Sequence, residues 1–450
     1  MLIQLSQLIW GRPLDQYTGS YGLHAARLRE THDLTTRRMA DAAVKRICHY
    51  DGASEDSLIP IEVSQNVTIG TLEAVLRMSH DPDTYKIYLS PKLAGGCIAL
   101  MTTIKSGKKA SPFSYEYGYL CFRILLLSLS TSLLARSGDP NLERMMEMME
   151  DPRYATCFIS DILSAQIAHT LYTLTNEDGR MDNCDWVLGW GGSGSRPYYQ
   201  PLLSRQQARA LVNILWEDRV DFLRVMSSTF TPGLAGLMFL NWRFLYHEHK
   251  PTSPNYDLLK RTSEIHWRCM LIAPSNQDML VVRIADRFMV MARFTPAKGE
   301  FMFSKSEGSR DILEAYISRL APIHTIMYDP VPVMVLPILL EIVVPNLETA
   351  FEDLFPSLFG VTISRLWEAL RREKFVYNPL LVCIGLTLEH IRMMFKSLRD
   401  NNVTRPTVAR LLEVLAREDL LDLIASIFLS LDPDAEEDTP EDSQYTIFFS

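Results

Sequence analysis

The chain has 450 residues, 47% of them hydrophobic and 22% charged, the balance of a folded globular protein. That excludes a disordered chain, a collagen-like repeat and a small disulfide scaffold. The net charge of −9 is concentrated at one end: Asp432, Asp434, Glu436, Glu437, Asp438, Glu441 and Asp442 are seven acids with no base among them, leaving −9 + 7 = −2 for the rest.

In chain order, Met1–Trp10 is apolar but carries Gln4 and Gln7 and no basic flank, so it does not read as a signal peptide. His24–Tyr50 reads as a helix with a solvated, modestly basic face (Arg27, Arg29, Arg37, Arg38, Lys45, Arg46). Tyr85–Leu89 is the one candidate for a short strand. Ser90-Pro91, Ser111-Pro112, Asp139-Pro140, Asp151-Pro152 and Thr231-Pro232 each set a capping side chain before a proline, a helix-start signal. Ile124–Ala135 and Val331–Val344 fall short of the ~20 apolar residues of a spanning helix and read as buried core helices. Met145, Met146, Met148 and Met149 read as adaptable core filler.

Asn176–Pro201 breaks the helical pattern. It carries Gly179, Gly189, Gly191, Gly192 and Gly194 beside Trp186, Trp190, Tyr198 and Tyr199. Gly189-x-Gly191-x-x-Gly194 has dinucleotide-loop spacing, but Ser195-Arg196-Pro197 follows where a helix would have to begin. The aromatics beside glycines make the segment a candidate contact surface, with the alternative that Trp186 and Trp190 turn inward and anchor it. Ser204 to Gln207 fits a capping box. Two stretches then show helical periodicity: Ala208, Leu211, Val212, Leu215, Phe222 and Met226, and later Val408, Leu411, Leu412, Leu415, Leu421, Ile424, Phe428 and Leu431.

The fold class expected from this is all-α: an irregular multi-helix array, with a degenerate α-solenoid of helix pairs as its more regular form. No fixed repeat period is present. The expected organisation is a helical part over 1–175, a Gly/aromatic loop or hinge over 176–201, a helical array over 202–431, and an acidic tail over 432–450 expected to be disordered.

The chemistry-bearing residues are sparse. The seven cysteines are scattered, odd in number and never spaced C-x-x-C, as expected of buried thiols in a reducing compartment. Cytoplasmic location is expected, with the nucleus as the alternative and secretion excluded. His247, His249, His266 and Cys269 are zinc-ligand types at a spacing that would need the chain to be extended near Pro251. His near a helix C-terminus has a simpler explanation in the helix dipole. His324 and Asp329 form an H-x4-D pair that resembles the catalytic pair of glycerolipid acyltransferases over those two residues alone. No G-x-S-x-G or H-E-x-x-H motif is present.

The function expected is therefore that of a non-enzymatic interaction or scaffold protein with an unidentified protein partner. No cofactor, transmembrane segment or nucleic-acid partner is expected, since nucleic acid requires concentrated basic surface. Candidate partner-binding residues are Trp186, Trp190, Tyr198 and Tyr199, with Ile447, Phe448 and Phe449 as a linear docking motif behind the acids. The alternatives are an enzyme with a buried helical pocket, zinc-dependent through the four residues above, and a peripheral membrane-surface protein using Val331–Val344.

Overall fold

In the computed structural model of the protein, nineteen α-helices organise the described residues, and the expected all-α class holds. The structure describes residues 9–22, 30–53, 57–106, 108–151, 159–176, 181–191, 198–229, 233–250, 252–273, 277–293, 307–322, 331–372, 378–400 and 403–430. The helices are α1 Leu14–Tyr17, α2 Leu34–Cys48, α3 Pro60–Asn66, α4 Ile69–Arg77, α5 Leu93–Thr102, α6 Glu116–Ser137, α7 Asp139–Glu150, α8 Ile159–Asn176, α9 Arg205–Glu217, α10 Arg219–Ser228, α11 Leu234–Glu248, α12 Tyr256–Ile272, α13 Asp278–Arg293, α14 Ser309–Leu320, α15 Leu336–Val343, α16 Phe355–Arg372, α17 Asn378–Asp400, α18 Arg405–Arg417 and α19 Leu420–Ser430. Among the described residues the only sheet is a hairpin of β1 Lys105–Ser106 and β2 Lys109–Ala110, with Lys105 opposite Ala110.

The chain forms two compact units, Met1–Cys269 with Asn276–Phe288, and Met270–Ser275 with Met289–Ser450. The division falls within α12 and α13. It does not coincide with Asn176–Pro201, whose described residues all belong to the first unit.

The first unit is built around α6. From Glu116 to Leu134 every residue except Arg123 is buried, because α4, α5, α7, α8, α11 and the 3-10 segment Pro82–Leu89 all pack on this helix. A helix covered on every side is apolar on every side. Ser128 within it donates to the Tyr88 carbonyl at 2.9 Å, which offsets the cost of burying that hydroxyl. Of the described helices, α6 alone is long and apolar enough to cross a membrane, with 22 residues and a mean hydropathy of 1.6 over its most apolar window, 89% of it buried inside the fold. The apolar run Ile124–Ala135 is thus the C-terminal part of a longer core helix.

Two glycines let the chain approach a neighbouring backbone closely. A Cβ at Gly96 in α5 would stand 2.2 Å from the Ile47 carbonyl oxygen of α2. One at Gly118 in α6 would stand 2.1 Å from the carbonyl oxygen of Pro112. Only a hydrogen fits at either place.

Tyr85–Leu89 is not a strand; it completes the 3-10 helix Pro82–Leu89. Asp81 caps this helix by accepting the Asp83 amide at 3.2 Å, and Pro82 supplies a preset φ. The hydroxyls of Tyr85 and Tyr88 then reach the Ser79 and Val75 carbonyls at 3.1 and 2.7 Å.

The start signals fare unequally. Ser204 and Gln207 form the expected capping box, with Gln207 N donating to Ser204 Oγ at 3.2 Å and Ser204 N to Gln207 Oε1 at 2.8 Å. Pro140 sits in the first turn of α7, but the cap position is Gly138. Ser90-Pro91 precedes a turn, with α5 beginning at Leu93, while Ser111-Pro112 opens the 3-10 helix Pro112–Ser114 with Ser111 at the cap position, ahead of α6 at Glu116. Residues 152, 231 and 232 lie outside the described residues. The stripe Ala208–Met226 is buried throughout, split between α9 and α10 at Asp218. Met145 and Met149 are buried in α7.

In the second unit α14 packs on α16, α15 on α17 and α16 on α18. Val331–Val344 forms a 3-10 turn and the whole of α15, with Leu336, Leu339, Leu340 and Val343 fully buried. That burial makes it a core element. Tyr316 and Thr362 exchange a buried hydroxyl contact at 2.9 Å between α14 and α16.

Candidate contact surface

The Gly/aromatic segment turns mostly inward. Met181–Leu188 is a 3-10 helix, and Gly189 at φ 74° reverses the chain. The Leu202 amide returns to the Leu188 carbonyl at 3.0 Å. A Cβ on Gly189 would meet the Gln200 carbonyl oxygen at 2.5 Å, so this glycine serves chain packing. Gly194 lies outside the described residues. Trp186 is buried and stacks on Tyr199 with ring centres 6.1 Å apart, and Arg136 covers Tyr199 at 5.0 Å. Trp190 donates its Nε1 proton to the Leu203 carbonyl at 2.7 Å and meets Phe244 and His247 edge-on. Of the four aromatics, Tyr198 alone is broadly exposed, at 83%.

This inward turn builds a polar cluster that the sequence did not announce. Asp185 accepts from Arg243 Nε at 2.6 Å and Nη2 at 2.9 Å, and lies 2.8 Å from His247 Nε2. The Arg243 side chain is fully buried between Trp242 and Tyr246, 4.8 and 4.4 Å from their ring centres. Burial acts to raise the Asp185 carboxyl, but the hydrogen bonds from His247 and Arg243 outweigh it and hold it below the usual carboxylate range. His247 Nδ1 faces Arg205 Nη2 at 3.3 Å. Nδ1 therefore accepts from Arg205 while Nε2–H donates to Asp185, so both ring nitrogens are engaged. An Asp–His pair serves as a general base only with one nitrogen turned to a nucleophile.

The four candidate zinc ligands are not brought together. His247 is held by Asp185. His249 caps the end of α11, its Nδ1 accepting the Asn255 amide at 3.1 Å. His266 is buried beside Trp267 and Phe288 and faces the Val281 carbonyl through Nε2 at 3.2 Å. Burial pushes its pKa down to about 3 and the neighbouring Cys269 thiol up to about 12. Among the described residues no group of three or more ligand-type side chains is placed to hold a metal ion. His324 and Asp329, like Ile447, Phe448 and Phe449, lie outside the described residues.

The broadest apolar exposure is elsewhere, on α18 and α19. The Thr404 amide and hydroxyl donate to the Glu352 carboxylate at 3.0 and 2.6 Å, fixing the start of α18. Thr407 and Leu411 are buried, and a Cβ at Gly360 of α16 would lie 3.2 Å from Val414 Cγ1. Between the two helices, Asp419 takes φ 50°. Trp367 and Ser364 of α16 donate to the carbonyl and carboxylate of Glu418, each at 2.8 Å. Leu423 and Ile427 point inward. The opposite side of α19 is left to solvent: Leu421, Phe428 and Leu429 are 80, 68 and 87% exposed, and Leu412 of α18 is 61% exposed. Leu421, Ile424, Ala425, Phe428 and Leu429 follow the i, i+3, i+4, i+7, i+8 spacing of one helical face.

Val408, Leu412, Leu421 and Phe428 are members of the stripe found by periodicity, but they face outward. Leu411 of the same stripe turns inward, together with Thr407, Leu423 and Ile427, which the stripe did not include. The signal that distinguishes them is that Leu420–Leu429 carries a single charge, Asp422, and so is apolar on more than one side. Comparison with known families, curated proteins and solved structures gives no match for this chain.

Proposed function

We propose that this protein is a non-enzymatic interaction protein whose contact face is the outer side of α18 and α19. The observation that carries this is the shared exposure of Leu412, Leu421, Phe428 and Leu429. Each such side chain gains roughly 1.5–3 kcal/mol on full burial, and contiguous exposed apolar surface marks interaction sites. The partner that fits is an amphipathic helix or short segment presenting aliphatic or aromatic anchors. The packing of α14 on α16, α15 on α17 and α16 on α18 supports an array of stacked helix pairs, an architecture suited to carrying such a face. The cysteines among the described residues, mostly buried, support a reducing compartment, the cytoplasm with the nucleus as alternative.

The test is a Leu421→Asp/Phe428→Asp variant. Both positions are exposed, so the thermal transition of the variant should match the parent, while partners recovered by crosslinking and mass spectrometry with the parent should be lost. Retention of the same partners by the folded variant overturns the proposal.

A further inference from the structure

The face on α18 and α19 has a candidate occupant in the same chain. We propose that residues 431–450 fold back over it, setting Ile447, Phe448 and Phe449 against Leu412, Leu421, Phe428 and Leu429. This rests on the contact-face reading above and adds its regulation: the face is covered in cis until a partner displaces the segment.

Reach permits this. The segment leaves α19 at Ser430, at the end of the apolar stripe itself. Ile447 is 447 − 430 = 17 residues further on. Seventeen residues span up to about 56 Å extended and about 20–24 Å as a flexible coil. The 11 residues of α19 are only about 16 Å long. The anchors can therefore return to any point of the stripe, at an effective concentration on the order of millimolar.

Charge selects this occupant over two others. The intervening stretch carries seven acids and no base. Helix α18 carries Arg405, Arg410 and Arg417, all three exposed, against Glu413 within it and Glu418 just after it, which pairs with Arg417 at 2.9 Å. Arg405 is three residues before Val408 and seven before Leu412, on the same side of the helix. Acids following α19 can thus lie along the arginine-bearing helix while the aromatics cover the leucines. A second copy on the same face would bring two seven-acid stretches together. An anionic membrane would be repelled by the one stretch present.

The experiment is amide hydrogen exchange on the full chain, comparing the parent with Phe448→Ala/Phe449→Ala, and with molecular mass followed by sedimentation. The expected result is a monomer in both, with exchange in Leu420–Ser430 at least tenfold faster in the variant. In the parent, 0.5 M salt should move exchange towards the variant's rate. Equal exchange in two monomers overturns the proposal, as does a change confined to helices other than α18 and α19. A dimer whose dissociation by dilution, and not the substitution, exposes α19 assigns the face to a second copy. Unchanged exchange together with partner loss in Leu421→Asp/Phe428→Asp ends this inference alone. Partner retention in that variant ends the contact-face reading.

Discussion

Arg243 has no solvent-exposed side-chain surface, yet it grips Asp185, 58 residues away in sequence, through two N–H bonds of 2.6 and 2.9 Å. Removing one partner leaves the other charge buried and uncompensated. Asp185→Ala should lower the unfolding free energy by about 3–5 kcal/mol, read by urea denaturation. A double variant, Asp185→Leu/Arg243→Met, should recover most of that loss. The Asp185 carboxyl is held below its usual range, so its contribution is present above the unfolded-state pKa and fades as pH falls through the folded one. The deficit of Asp185→Asn should therefore shrink in acid.

Asp218 and His266 should tilt stability with pH in opposite directions. Burial is the largest cause raising the Asp218 carboxyl to about 7, with Asp221 and Glu217 adding to it against the Phe113 amide and the Ser111 hydroxyl, which favour the charged form. The folded state then holds a proton that the unfolded state releases, so this group makes stability fall as pH rises from about 4 to 7. His266, lowered to about 3 by burial, is neutral when folded and charged when unfolded. It makes stability rise over roughly pH 3 to 6.5. Where the windows overlap the two slopes oppose each other, each at most about 1.4 kcal/mol per pH unit. Asp218→Asn should make stability rise more steeply with pH than the parent's, and His266→Leu less steeply. Thermal scans from pH 4.5 to 6.5 check both, and equal slopes in all three proteins would refute the assignment.

Glycine substitutions separate close approach from simple helix propensity. Gly96→Ala and Gly118→Ala push a methyl group against backbone carbonyls and should each cost about 1–3 kcal/mol or more. Gly385 in α17 has nothing within 4 Å of a Cβ. Gly385→Ala should stabilise by about 0.5–1 kcal/mol. Denaturation midpoints of the three variants give the comparison.

The aromatic segment gives a simpler contrast. Trp190→Phe keeps most of the apolar contact but forfeits the bond to the Leu203 carbonyl, at an expected cost of about 1–3 kcal/mol. Tyr198→Ala, at an exposed ring, should fall within about 0.5 kcal/mol of the parent. A large effect at Tyr198 would show that this ring has a partner in the folded chain.

Local signals proved readable where one side chain and its near neighbours decide the outcome. The Ser204–Gln207 box and the buried stripe Ala208–Met226 were both legible because capping and amphipathicity act within a turn or two. Periodicity also found Val408, Leu412, Leu421 and Phe428 but could not orient them, since a helix with two apolar sides has no unique inward face. Asp185 and Arg243 were missed because ion pairs between distant segments leave no local pattern. The four zinc-ligand types failed to converge for the same reason in reverse. Their proximity along the chain carried no information about where α11 and α12 would point them, and each imidazole found a separate partner. Tyr85–Leu89 went to a 3-10 helix because its tyrosines had carbonyls to reach on the segment just before them.

Helix α6 also bears on how the protein is made. Its 22 residues leave the ribosome as a stretch that by length and hydropathy passes for a membrane anchor. Helices α8 and α11, which bury it, end at Asn176 and Glu248, 39 and 111 residues after Ser137. At about 5–20 residues per second, the last of that cover arrives roughly 6–22 s after α6 is complete. For that interval the nascent chain offers the same sequence to a chaperone, to a targeting factor and to its own unfinished core.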